Sequence, residues 1–101
     1  KFDVDIHEMR NLDLTAIPNF KNPLYISLDM DGFDPAFAPG VSHHEPGGLS
    51  SRQVIDLIQG IDAQIVGADI VEYNPDRDFN DMTAYLAAKM MKELLGKLMV
   101  H

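Results

Sequence analysis

Two near-continuous apolar runs constrain this chain most strongly: residues 24–28 (LYISL) and residues 64–75 (QIVGADIVEYNP). Strands apolar on both faces belong to parallel sheets covered by helices, because a half-wetted strand alternates instead. Each run is followed by a segment of helical period. Val54, Leu57, Ile58 and Ile61 fall at i, i+3, i+4 and i+7 behind a Ser50/Gln53 capping box, with Gly60 and Asp62 ending the helix. Asn80 or Asp81 is placed to cap a longer helix reaching Met99, with Leu86, Met90, Leu94 and Leu98 along one side. Upstream, Phe2, Val4 and Ile6 alternate with Asp3, Asp5 and His7, which predicts a short strand with one wet face. Pro18 and Pro23 mark loop, with one helical turn expected between Leu12 and Ile17. The order β-β-α-β-α predicts an α/β fold with a parallel sheet. Three strands and two helices cover such a sheet incompletely, and the chain starts at Lys1 rather than Met. The expectation is that residues 1–101 form the carboxyl-terminal segment of one larger α/β domain.

The first apolar run delivers Asp29 and Asp31 into the turn-rich DGFDPAFAPG that starts at Asp31. On a strand, residues i and i+2 share a face about 6.6 Å apart, and open parallel sheets bind ligands at the carboxyl ends of their strands. Two neighbouring carboxylates repel unless a cation lies between them. The bland alternative is that both cap backbone N–H groups, as Asp does in loops. With oxygen donors and no cysteine, Mg²⁺ or Mn²⁺ fits the pair better than a thiolate zinc site. Asp34, before Pro35, reads as a turn former, and Gly47-Gly48 as a turn that lets the next helix start close to the sheet. Glu72 ends the second run, so in a parallel pair it points into the same crevice. Asp69, of opposite parity, reads as structural or as a support behind the ligands. His43 and His44 are adjacent, which disfavours both serving one metal; one of them can face a cleft. His7 reads as surface.

Sixteen acidic against eight basic residues give a net charge of −8. That disfavours nucleic acid, which is bound through clustered Lys and Arg, and favours cations. No apolar run approaches the ~18 residues of a membrane span. Zero cysteines exclude disulfides and point to a reducing compartment. The expected location is the cytoplasm.

S-L-D-M-D-x-x-D-P (Ser27 to Pro35), A-P-G (38–40), P-G-G-L-S (46–50) and G-A-D-I-V-E-Y-N-P (67–75) resemble the ureohydrolase family of arginases, agmatinases and related amidinohydrolases. The likeness covers residues 24–98 in order and spacing, and the S-H-x-E-P-G-G form (42–48) looks like plant-type and bacterial arginases. The resemblance implies a three-layer α/β/α fold, a binuclear manganese centre and hydrolysis of a small cationic guanidinium substrate, L-arginine foremost, to urea and an amine. It implies that Asp29 bridges both Mn²⁺ ions and Asp31 ligates one. Glu72 grips the guanidinium, and His43 contacts substrate where other members have Thr. It also implies a homo-oligomer, trimeric or hexameric. The family's GGDH and DAHxDxxD motifs, which supply the other ligands, are not in these residues, so the isolated chain is expected to be inert. Agmatine is the alternative substrate. The strand followed by Asp29-Met30-Asp31-Gly32 also suits a haloacid-dehalogenase-like Mg²⁺ phosphatase, with Asp29 as nucleophile and Asp31 as acid/base. Phe33 and the PGG and EYNP segments go unexplained on that reading. A non-catalytic fragment is the third reading.

Overall fold

The computed structural model describes residues 4–16 and 20–99. Its framework is β1 (Leu24–Asp29), α1 (Ser51–Gly60), β2 (Ile65–Val71) and α2 (Met82–Leu98). The two strands pair in parallel, from Leu24 opposite Ile65 to Asp29 opposite Val71. The register skips Val66, since Tyr25 faces Gly67. This is the α/β architecture expected, with both strands ending at the same edge.

Ile26 and Leu28 of β1 and Ala68 and Ile70 of β2 line one face of the pair. They pack against a buried cluster of Met30, Phe33, Ala38, Val41, Val54, Ile55, Ile58, Met90 and Leu94. Both helices contribute to that cluster, so they cover the same face of the sheet. The opposite face carries the exposed Tyr25, Ser27 and Asp29. The described residues therefore supply two of the three layers that the resemblance implies.

The capping box forms as expected: Ser50 Oγ accepts from Gln53 N–H at 3.1 Å, and Gln53 Oε1 from Ser50 N–H at 2.8 Å. The stripe behind it is slightly rotated, with Ile55 buried beside Val54 and Ile58 while Leu57 and Ile61 are half-buried. The far end of α1 is closed from α2, where Lys97 Nζ donates to the carbonyls of Gln59 and Ile61. Gly47, with φ of 96°, turns the chain toward α1, and a bridge between Phe33 and Leu49 brings the start of α1 against the turn after β1.

Two expectations are corrected, and a third holds with an addition. Residues 2 and 3 of the predicted first strand lie outside the described residues, and residues 4–7 form no strand, with Val4 and Ile6 exposed. Alternation stabilises a strand only where a ladder partner and a buried face exist, and this stretch has neither among the described residues. The helical turn expected between Leu12 and Ile17 appears as the 3₁₀ turn Leu14–Ala16, with Ile17 outside the described residues, and a second 3₁₀ turn, Met9–Asn11, precedes it. Asp81 holds the N-cap position of α2 as expected, but the capping bonds are reassigned. Asn80 and Asp81 both adopt left-handed backbone, and Asp81 makes no side-chain capping bond. Asp78 caps the helix instead, accepting from Thr83 N–H at 2.9 Å and Ala84 N–H at 3.1 Å.

Candidate active site

Strand β1 ends at Asp29, and residues 30–32 wind into a 3₁₀ turn. Asp29 makes that turn itself, its Oδ1 accepting from Asp31 N–H at 2.8 Å. The two acids are therefore not i and i+2 of one strand; Asp31 lies in the turn that Asp29 caps. One oxygen of Asp29 thus does the backbone capping that the bland alternative described. Asp31 differs. Its Oδ1 is buried and has no hydrogen-bond partner, and its Oδ2 lies 3.7 Å from Nδ1 of the exposed His43. Burying a carboxylate oxygen without a donor costs about 1–3 kcal/mol or more, and such an orphan in a folded protein calls for an ion or a donor. A hard divalent cation fits these oxygen donors. Among the described residues no group of three or more His, Cys, Asp or Glu is gathered for a metal, so Asp29 and Asp31 form at most part of a centre.

His44 is taken up elsewhere, its Nε2 lying 2.7 Å from the Pro39 carbonyl, where only a protonated nitrogen can pair. This leaves His43 as the imidazole beside Asp31. Glu72 follows the last paired residue of β2, Val71, which faces Asp29. It therefore sits at the same edge of the sheet as the acids. Its backbone is left-handed, with φ of 71°, so strand parity does not govern its side chain.

The other carboxylates near this edge are satisfied. Asp69 accepts from Ser27 Oγ at 2.6 Å and Tyr25 O–H at 2.8 Å. Those two bonds hold its pKa below the usual range, and the same contact raises that of Tyr25. The Tyr25 ring lies across Gly67, where a Cβ would come within 2.8 Å of it. Asp69 is thus a structural tie between the strands, as its parity suggested. Asp34 accepts from Ala36 N–H and Gly47 N–H, both at 2.9 Å, and these bonds depress its pKa. It is the expected turn former.

Sequence reasoning missed the residues that join the two loops. Asn74 N–H donates to the Gly40 carbonyl at 2.7 Å and its Nδ2 to Ser42 Oγ at 3.0 Å. Gly40 N–H donates in turn to the buried Thr83 Oγ1 at 2.7 Å. The Asn-Pro pair was the available signal, since Asn ahead of Pro marks a side-chain-capped turn; Asn74 Oδ1 accepts from Asp76 N–H. An apolar groove of about 650 Å³ beside α2, lined by Tyr73, Ala84, Met91, Leu95 and Met99 among others, lacks any carboxylate or imidazole and is not this site.

Residues 2–96 match the arginase family as a whole. The chain belongs to the arginase family. This accounts for the PGG and EYNP segments that a phosphatase leaves unexplained. It is 46% identical over 106 residues to "Arginase, mitochondrial" of Medicago truncatula and 49% identical to "Arginase 1, mitochondrial" of Arabidopsis thaliana. Each alignment covers 97% of this chain and 31% of the relative, so the chain spans about a third of these arginases' length. Among solved structures, arginase from Medicago truncatula superposes with a TM-score of 0.71 at 53% identity, covering 73% of this chain and 24% of that one. A T. brucei arginase-like triple mutant bound with Mn²⁺ superposes with a TM-score of 0.75 at 34% identity, covering 91% and 35%. The arginase relatives correct one expectation: several are named mitochondrial or chloroplastic, not cytoplasmic. The absence of cysteine carries no compartment address, because organelle import is read from targeting segments rather than composition.

Proposed function

We propose that the complete protein carrying this chain is a manganese-dependent ureohydrolase that cleaves L-arginine to ornithine and urea. In this reading residues 1–101 are part of one α/β/α domain, and the protein assembles as a homo-oligomer, trimeric or hexameric. The observation that carries the reading is the buried, unpartnered Oδ1 of Asp31. It lies at the strand edge where β1 ends in Asp29 and β2 runs into Glu72. Asp29 and Asp31 would hold manganese, the remaining ligands coming from outside these residues. The bound ions supply Lewis acidity and a nucleophile available near neutral pH.

The chain's own groups do the rest. Asp29 keeps Asp31 in place through the N–H it caps. Glu72 presents two acceptor oxygens to the guanidinium N–H groups, a charge-assisted, planar contact that fixes the carbon for attack. His43, next to Asp31, contacts substrate at the rim. The net charge of −8 draws a cationic substrate and opposes an anionic one.

Urea release from arginine and from agmatine by the complete protein, before and after chelation, tests this. The expected result is urea from arginine in preference to agmatine, lost with chelator and restored by Mn²⁺. Manganese-loaded protein that releases no urea from either would overturn the reading, and preference for agmatine would reassign the substrate.

A further inference from the structure

Glu72 has a conformation that an L-residue with a Cβ avoids, φ of 71°. Strain of this kind persists only where the surroundings leave no alternative, and it gathers at binding sites. Here both flanks are fixed. On one side Val71 is held opposite Asp29 at the last rung of the ladder. On the other, Asn74 spends every polar group it has: N–H to the Gly40 carbonyl, Nδ2 to Ser42 Oγ, Oδ1 from Asp76 N–H and its own carbonyl from Arg77 N–H.

The receiving loop is itself immobilised. Gly40 N–H donates to Thr83 Oγ1, whose residue is fully buried, and a Cβ on Gly40 would lie 2.9 Å from carbons of Asp78 and Thr83. Only Glu72 and Tyr73 span the gap between these anchors, and of the two it is Glu72 that takes the positive φ. The same bonds draw Ser42, and with it the neighbouring His43, toward the Glu72 turn.

We propose that Asn74 is a positioning residue: by fastening the turn after β2 to the Gly40–Ser42 loop, it holds Glu72 in its left-handed conformation and aims its carboxylate at the substrate. This rests on the reading of Glu72 as the guanidinium-gripping group. Asn74 itself touches neither substrate nor metal in this scheme.

The test is a double-mutant cycle on the complete, manganese-loaded protein with arginine, using N74A, E72A and the pair, with S42A as a milder cut of the same bond. N74A should lower kcat/KM by about ten- to a hundred-fold while manganese stays bound, and S42A should act in the same direction. In an E72A background N74A should add nothing, because its effect passes through Glu72. Independent losses that multiply, or an N74A enzyme as active as wild type, would overturn the proposal. An E72A enzyme with normal kcat/KM would instead defeat the assignment of Glu72. A crystal structure of N74A decides the conformational half without any assay: Glu72 should move to negative φ, and a retained φ near 71° would refute the role of Asn74.

Discussion

Asp31 and Asp78 are the same residue type in the segments that follow β1 and β2, in opposite circumstances. Asp78 is surrounded by donors: Oδ1 accepts from Phe79 and Thr83 N–H, and Oδ2 from Thr83 N–H, Ala84 N–H and, at 3.4 Å, Tyr73 O–H. Burial pushes its pKa up, but the hydrogen bonds from Thr83, Ala84 and Phe79 together outweigh burial and hold it below the usual range. Asp31 has a buried oxygen with no donor and an imidazole 3.7 Å from the other. A carboxylate that backbone N–H groups already saturate has little left to offer a cation. One that the fold leaves short of donors is suited to take one.

Three substitutions would break or sharpen that contrast. The largest effect is expected for D31N in the complete protein. Arginine hydrolysis with manganese should fall about a thousand-fold, equivalent to about 4 kcal/mol, read from steady-state kinetics. The metal-free protein should lose no stability by chemical denaturation, since the amide removes the charge from a group whose buried oxygen has no donor. If D31N destabilised the metal-free fold as loss of a helix cap does, the two aspartates would not differ in kind.

Gly40 tests the donor-rich side. G40A forces a methyl to within 2.9 Å of Asp78 and Thr83, and overpacking of this kind should lower stability by about 1–3 kcal/mol. A neutral G40A, measured by urea unfolding, would mean that the clamp has slack.

The smallest of the three is D78A, expected to cost about 1–2 kcal/mol through loss of the α2 cap. The pH profile carries the sign. Because the folded pKa of Asp78 lies below the ordinary value of about 3.9, the unfolded chain binds more protons through that interval. Its stabilisation is complete above about pH 4 and is lost as pH falls through the lowered folded value. Asp34 and Asp69, also depressed, act in the same window. Unfolding midpoints measured from pH 7 to 2.5 should fall less steeply for D78A than for wild type. An unchanged acid branch would show that the donors around Asp78 do not stabilise its charge.

What the sequence disclosed follows the range of the forces involved. The capping box at Ser50 and Gln53, the parallel character of the apolar runs and the turn role of Asp34 are local or patterned, and all appear in the structure. The predicted strand at residues 2–7 is patterned too, but a pattern does not supply a neighbouring strand, and Val4 and Ile6 stay exposed. Asp81 was legible as the N-cap of α2, but the side chain that makes the capping bonds was not, because Asp78 reaches forward to Thr83 and Ala84 across two left-handed residues, a loop geometry that propensity does not encode. The acids at residues 29 and 31 were legible as a pair, whereas the turn that separates their roles was not. Nor was the positive φ of Glu72, which arises from anchors on Gly40 and Ser42, far away in the chain.

The tie from Tyr25 and Ser27 to Asp69 also guards alignment. Sliding one parallel strand past the other by two residues keeps every side chain on its own face, so hydrophobic burial alone hardly penalises the mistake. Such a slip would strand the Asp69 carboxylate away from both hydroxyls and lift the tyrosine ring off the only glycine in β2. It would also carry Glu72 about 6.6 Å along the strand axis from Asp29. Three polar side chains on the exposed face thus proofread the distance between Asp29 and Glu72, the two halves of the candidate site.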